Sequence, residues 1–241
     1  GLDRAAPGDS ETRWSRLAAR YLRKEFAVKK SVKRATVHIA GMGLYELFIN
    51  GQRIGNQVLA PAPTDYRKTI LYNTYDVTSL LQTENAIGVT LGNGRFYTMR
   101  QNYKPYKIPT FGYPKLRLNL IVEYADGSKE TIATNTSWKL TTEGAIRSNN
   151  EYDGEEYDAR KELGNWTQSG YDDKSWIAAQ RVSIPSGTLR AQIMPGMKVM
   201  DTLKPVSIQK LGDKYNLDFG QNMAGWMRFR IKGQAGDSIR L

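Results

Sequence analysis

Hydrophobic and polar residues alternate along most of this chain. Apolar residues recur at about every second position in three segments: A-T-V-H-I-A (35–40), L-Y-E-L-F-I (44–49) and K-L-R-L-N-L-I-V-E-Y (115–124). Because side chains along a strand point to opposite faces in turn, this period predicts strands with one buried face. No long stretch has a helical period. The pattern therefore predicts an all-β fold of the sandwich type.

Turn signals separate the predicted strands. Asn50-Gly51 and Asp126-Gly127 are two-residue hairpin turns, since these residue types tolerate positive φ. Pro61 and Pro63 exclude a central strand from the segment around them, because proline cannot donate to a ladder. The apolar run at 85–92 predicts a strand that is buried on both faces.

Three regions follow from the spacing of these elements. Residues 1–19 are polar and predict a flexible lead-in. Residues 20–190 contain enough strands for one jelly-roll β-sandwich. Pro, Ser and Gly then cluster, and residues 195–241 predict the first strands of a second β-sandwich, with W-M-R-F-R-I-K-G (226–233) among three strand-like runs. These residues are too few to close a sandwich by themselves.

Composition excludes several classes of protein. The chain has 14 tyrosines and 22 glycines, which suit sheets and turns, and no cysteine, which excludes disulfides and thiolate metal sites. No apolar run is long enough for a membrane span. We also see no signal peptide in the sequence.

The formal net charge is +11, and basic residues are densest between Arg13 and Arg34. A basic chain can bind polyanions, but no nucleic-acid-binding signature accompanies the charge. We therefore expect mainly a solvated basic surface, then an acidic polysaccharide as partner, and no nucleic acid.

One acidic stretch stands out from this basic background. It reads N-N-E-Y-D-G-E-E-Y-D-A-R-K-E-L-G-N-W and covers residues 149–166. Carboxylates, carboxamides and aromatic rings in such density suit a calcium or sugar site, because oxygens bind the hard cation and rings stack on sugar C–H faces. A solvated acidic loop has the same composition. In that case Glu155 would pair with Arg160, and Asp158 would cap a turn.

Several motifs together resemble one family. They are Y-L-R-K-E-F (21–26), L-Y-E-L-F-I-N-G-Q-R-I-G (44–55), L-G-N-G-R-F-Y (91–97), G-E-E-Y-D-A-R-K-E (154–162) and D-F-G-Q-N-M-A-G-W-M-R-F-R-I (218–231). In this order the chain resembles, from residue 20 onward, the N-terminal part of bacterial α-L-rhamnosidases of glycoside hydrolase family 78. The N-G-Q-R-I-G segment is also similar to sugar-binding domains of β-galactosidase-like enzymes, which stays open as an alternative.

The resemblance implies a jelly roll similar to carbohydrate-binding module family 67, followed by a second sandwich. In this family the catalytic carboxylates belong to an (α/α)6 barrel, so none can be assigned here, and we predict that this chain alone is inactive. The parent enzyme would remove terminal α-L-rhamnose from plant glycosides or pectic polysaccharide. A periplasmic or secreted bacterial location is expected over a cytoplasmic one.

The resemblance also implies a ligand site. In the related module, side chains from two loops hold a calcium ion that coordinates sugar hydroxyls; the matching metal ligands here are Asn93, Asn149 and Glu155. An L-rhamnose-containing oligosaccharide would contact these residues, and the site is completed by Tyr97, Asn150 and Tyr152.

Two other hypotheses compete with sugar binding. In the first, the chain is a structural domain that only docks against the catalytic domain of the same enzyme, and Phe219 and Trp226 are core residues. A glycosidase that uses Glu155 with Glu156, Asp158 or Glu151 is disfavoured. Glu155 and Glu156 are poor partners because adjacent strand residues point to opposite faces.

Overall fold

The structure is a computed structural model that describes residues 17–97, 111–151, 154–230 and 232–240. The chain forms two compact units, Gly1–Val199 and Met200–Leu241. The strands of the first unit are β1 Arg20–Ala27, β2 Val32–Met42, β3 Leu44–Ile49, β4 Gln52–Arg53, β5 Thr69–Asp76, β6 Glu84–Gly92, β7 Lys115–Tyr124, β8 Lys129–Ala133, β9 Lys139–Thr141, β10 Ile146–Asn150, β11 Gly154–Tyr157, β12 Ile177–Ala178 and β13 Thr188–Ala191.

Two large sheets build the first unit. One has the order β12-β9-β1-β6-β3-β4, and the other has the order β13-β5-β2-β7-β8. All neighbours are antiparallel except β13 and β5, which are parallel. Successive strands from β1 to β3 and from β4 to β7 cross between the sheets, which is the wiring of a jelly roll.

The core lies between these sheets. Leu22, Leu47 and Val89 of the six-stranded sheet belong to the same buried cluster as Val37 and Leu120 of the five-stranded sheet. Their spacing follows the period of two in the sequence, since each strand places alternate residues inward. The predicted all-β sandwich is confirmed.

Local chemistry explains the tight connections. Asn50 and Gly51 both have positive φ, of 50° and 83°, so the predicted Asn-Gly hairpin turn between β3 and β4 is confirmed. Gly43 separates β2 from β3 at φ 133°. A Cβ at that position would lie 2.2 Å from the carbonyl oxygen of Gly92, so only glycine fits.

The edges of the first unit differ from the sequence prediction. Leu17 and Ala19, at the end of the predicted flexible lead-in, are buried, and the Ala19 N–H donates to the Ile146 carbonyl (3.0 Å). At the other end, the Val58 N–H donates to the carbonyl of Met197 (2.9 Å). The first unit therefore extends a few residues beyond 195, to Val199.

The described part of the second unit contains one hairpin, β14 Ser207–Leu211 with β15 Lys214–Asp218. The prediction of a strand at 226–233 is wrong for its described residues, which have no ladder. A strand exists only with a hydrogen-bonded partner, and no described strand pairs with this run. Trp226, predicted to be a core residue, is 62% exposed.

Both helices of the described residues are single 3-10 turns, Thr78–Leu80 and Ala159–Lys161. Neither is long and apolar enough to cross a membrane.

Candidate functional site

Two segments that are distant in sequence meet at one end of the six-stranded sheet. The first is the loop that follows β6, at 93–97, and the second is the β10–β11 hairpin. The Asn93 N–H donates to Oδ1 of Asn149 (2.6 Å), and Asn93 Nδ2 donates to the backbone carbonyl of Asn149 (2.6 Å). Asn93 Nδ2 also lies 3.2 Å from the carbonyl oxygen of Leu17. These bonds fix both carboxamides in one orientation.

The other side-chain atom of Asn93 has no such partner. Asn93 is 2% exposed, and its Oδ1 accepts no hydrogen bond within the described part of the chain. A buried acceptor of this kind is costly unless something donates to it or coordinates it. Since both Nδ2 bonds go to carbonyl oxygens, the assignment of Oδ1 and Nδ2 follows from the network.

The β10–β11 hairpin adds a carboxylate on the same side. Asn149 pairs across the ladder with Glu155, and Asn150 pairs with Gly154. Directly opposed residues share one face of a ribbon, so Glu155 projects to the side on which Asn149 meets Asn93. Desolvation, and then the negative charge of Glu46, raise the pKa of Glu155. The side chain of Glu46 already pairs with Arg53 (3.0 Å).

The two predicted aromatic walls have different outcomes. Tyr97 is buried, its N–H donates to the Asn93 carbonyl (3.2 Å), and its ring stacks on Tyr113 at 5.8 Å. This ring packs in the interior and leaves little surface for a sugar. Tyr152 lies outside the described residues, and for Asn150 only the backbone is described.

The remaining described carboxylates of the acidic stretch point to several partners. Glu151 pairs with Arg95 (3.3 Å), which links the hairpin turn to the loop after β6. Asp158 accepts from the Arg160 N–H and pairs with its guanidinium, which lowers the pKa of Asp158 to about 2. The predicted cap at Asp158 is confirmed, whereas the predicted pair of Glu155 with Arg160 is wrong, because Arg160 binds Asp158.

The described carboxylates of the acidic stretch therefore do not converge on one point, since Glu151 pairs with Arg95 and Asp158 pairs with Arg160. In the part of the chain that the structure describes, no group of three or more His, Cys, Asp or Glu could hold a metal ion. A cation at this position would need the carboxamide oxygens of Asn93 and Asn149 beside Glu155. Such oxygens are ordinary calcium ligands.

Sequence reasoning missed the burial of two basic residues in β1. Arg20 is 3% exposed and Arg23 is 1% exposed, although both were expected on a solvated surface. Arg23 binds Asp173 and Glu25 and donates to the Trp166 carbonyl (2.9 Å). Its position in a predicted strand, next to Leu22, was the available signal. Its partners Trp166 and Asp173, however, lie about 150 residues away in the sequence.

Comparison with known proteins identifies the family to which this chain belongs. The described chain is a jelly-roll sandwich that is followed in sequence by a second unit with one β hairpin. The chain belongs to the α-L-rhamnosidase N-terminal domain family, whose model matches residues 30–201. Residues 209–241 match the bacterial α-L-rhamnosidase concanavalin-like domain.

Individual relatives agree with this assignment. An α-L-rhamnosidase of Formosa agariphila is 38% identical over 93% of this chain. The structure of an α-L-rhamnosidase from Dictyoglumus thermophilum is 43% identical over 86% of the chain, with a TM-score of 0.78. That of the Streptomyces avermitilis α-L-rhamnosidase complexed with L-rhamnose is 36% identical over 87% of the chain, with a TM-score of 0.79.

The chain spans only part of these relatives. It covers 24% of the Formosa enzyme, 23% of the Dictyoglumus chain and 20% of the Streptomyces chain.

Proposed function

We propose that this chain is the non-catalytic carbohydrate-binding region of an α-L-rhamnosidase. The parent enzyme would remove terminal α-L-rhamnose from plant glycosides or pectic polysaccharide, and its catalytic domain would be the intramolecular partner. Membership of the N-terminal domain family supports this role, and so does the relative that was crystallised with L-rhamnose. A periplasmic or secreted location is part of the same proposal.

The buried, unpartnered Oδ1 of Asn93 is the single observation that carries the sugar-binding part of the proposal. It lies where two distant segments meet, beside Asn149 and on the side of the hairpin that carries Glu155. A buried acceptor without a donor is explained if a ligand, a cation or a water supplies the missing contact.

Calcium is the cation that suits these donors. Asn93, Asn149 and Glu155 would contribute two carboxamide oxygens and a carboxylate, and hydroxyls of rhamnose would replace waters on the ion. Desolvation, and then the charge of Glu46, disfavour the Glu155 carboxylate and raise its pKa, and a bound cation would stabilise that carboxylate.

Calorimetric titration with L-rhamnose, first with calcium and then with a chelator, tests the proposal. We expect binding that needs calcium and that weakens about tenfold or more in Glu155→Gln, because the site loses its only negative ligand. Glu156→Gln is the matched control, since its side chain lies on the opposite face of β11. Absence of heat with and without calcium would refute sugar binding.

A docking role is the second candidate, and one observation favours it. In the second unit the cross-strand pair Ile208 and Leu217 shares one face of the hairpin with Tyr215, and Ile208 and Tyr215 are 60% and 62% exposed. An apolar face of this kind suits contact with another domain. If rhamnose does not bind, we propose docking against another domain as the function of the chain.

A further inference from the structure

A second concave region lies at the open side of the sandwich, and Asn93, Asn149 and Glu155 are not among its lining residues. It is a cavity of about 570 Å³, within the range of ligand pockets of roughly 300–1,000 Å³. β1, β9 and β12 line it from the six-stranded sheet, and the first residues of β7 line it from the five-stranded sheet. Leu140, Ile177 and Val182, which keep exposed surface, form an apolar wall.

The pairing of the strands explains why the cavity exists. The ladder between β7 and β8 ends at the pair Asn119 and Ala133. The residues at 115–117 therefore have β2 on one side, and among the described strands none pairs with their other side. The cavity occupies this uncovered edge.

All charged residues that line the cavity within the described chain are cations. They are Arg20, Lys115, Arg117 and Arg181, and no Asp or Glu lies among the lining residues. Arg20 and Lys115 are buried beside aromatic rings, with Arg20 Cζ 5.9 Å from the centroid of Tyr113 and Lys115 Nζ 5.4 Å from that of Phe96. Low-dielectric walls strengthen the positive potential that such groups create.

Arg117 and Arg181 differ from this buried pair. Both are exposed, and the structure gives neither an ion pair nor a hydrogen bond to any described residue. Their guanidinium groups can therefore bind an incoming anion in the two-pronged geometry that arginine forms with carboxylates. Carboxamides of Asn119 and Gln180 also line the cavity and can hydrogen bond to hydroxyl groups.

We propose that this cavity binds an acidic carbohydrate, a glycan whose sugar rings carry carboxylates. The carboxylate would bind Arg117 and Arg181, hydroxyls would bind the carboxamides, and the C–H face of the ring would pack on the apolar wall. A neutral sugar would give the guanidinium groups of Arg117 and Arg181 no anionic partner. This inference rests on the proposed function only in choosing a sugar over other carboxylates. Its anion ligands, Arg117 and Arg181, are not among the residues assigned to the rhamnose site.

Titration of the 241-residue chain with trigalacturonate tests this proposal, with its fully methyl-esterified form as the uncharged control ligand. We expect trigalacturonate to bind and the ester not to bind. In the variant Arg117→Gln/Arg181→Gln, Kd should rise about tenfold or more, because two charge-assisted contacts are lost.

The variant Lys29→Gln/Lys33→Gln is the control for net charge. It removes the same charge from exposed positions near Val32, the end of β2 opposite to Met42 and the cavity. We expect its Kd to change less than about twofold, since distant exposed charges are screened by salt. Thermal melting of both variants verifies that they fold.

Several results would overturn the proposal. They are no binding of trigalacturonate, equal binding of the ester, equal loss in both double variants, or single-stranded DNA of the same charge binding as tightly with the same sensitivity to Arg117 and Arg181. Rhamnose titration of the arginine variant separates the two proposals: unchanged rhamnose binding with lost trigalacturonate binding assigns two sites.

Discussion

The two units of this chain use the same strand pattern with opposite results. In β7 of the first unit, Leu118, Leu120 and Val122 occupy every second position and are completely buried, and the residues between them are partly exposed. In the hairpin of β14 and β15, Ile208 and Tyr215 alternate in the same way, yet both remain mostly exposed. Alternation forms an amphipathic strand in either case.

The difference teaches that burial needs an opposite layer. The inward faces of the two large sheets share one core cluster, whereas the described part of the second unit has a single two-stranded sheet. An isolated hairpin is at best marginally stable in water, because it buries little apolar area. The contrast can be tested by substitutions matched in chemistry and different in burial.

The largest effect is expected for Leu120→Ala. Leu120 is 0% exposed in the centre of the core, so truncation loses apolar burial and leaves a cavity. We expect the free energy of unfolding of the first unit to fall by about 2–5 kcal/mol. Urea denaturation followed by tryptophan fluorescence measures it, because Trp138 lies in the same cluster.

Ile208→Ala is the matched exposed substitution. It should change the free energy of unfolding by less than about 0.5 kcal/mol, since Ile208 is mostly exposed before the change. A loss as large as that of Leu120→Ala would show that this face is covered in solution, and the contrast between the units would fail.

The next largest loss of unfolding free energy is expected when a buried guanidinium group is removed. Arg23→Met should lower the free energy of unfolding by about 1–3 kcal/mol, because the carbonyls of Trp166 and Gln168 each lose a donor at 2.9 Å. Arg160→Met, which breaks an exposed pair with Asp158, should cause no measurable change. Equal thermal shifts in the two variants would contradict the dependence on burial.

The smallest effect is expected at Glu155. Its pKa is raised in the fold, so the native state holds a proton more tightly than the unfolded chain, and stability falls as pH rises above the ordinary glutamate pKa of about 4.3. Glu155→Gln removes this penalty. We expect a slightly higher Tm than that of the parent chain at pH 7, and a smaller difference as pH falls toward 4.

Glu84→Gln, at an exposed position at the start of β6, is the control for this pH series. Its Tm relative to the parent chain is measured over the same pH range, so that the effect of removing an exposed carboxylate is known. Calcium sharpens the test, since under the proposed function it should raise the Tm of the parent chain more than that of Glu155→Gln. An unchanged Tm difference from pH 7 to pH 4 would refute the role of the Glu155 charge.

Local features were predictable because their causes are local. The strands at 44–49 and 115–124 match the structure residue for residue, and the Asn50-Gly51 turn has the expected positive φ values. The motifs also led to the correct family. By contrast, the contact of Asn93 with Asn149 joins residues 56 positions apart, and no local pattern specifies that Oδ1 of Asn93 stays without a donor.

The sequence by itself therefore determined the all-β class, the turn positions and the family. Only the tertiary structure decided which side chains became buried: Arg23 was bound to the Trp166 carbonyl, and Arg20 and Lys115 were brought to one cavity. It also decided that the run at 226–230 forms no strand. The physical reason is that turn chemistry and strand alternation act between neighbours, whereas burial and ladder pairing depend on partners from distant parts of the chain.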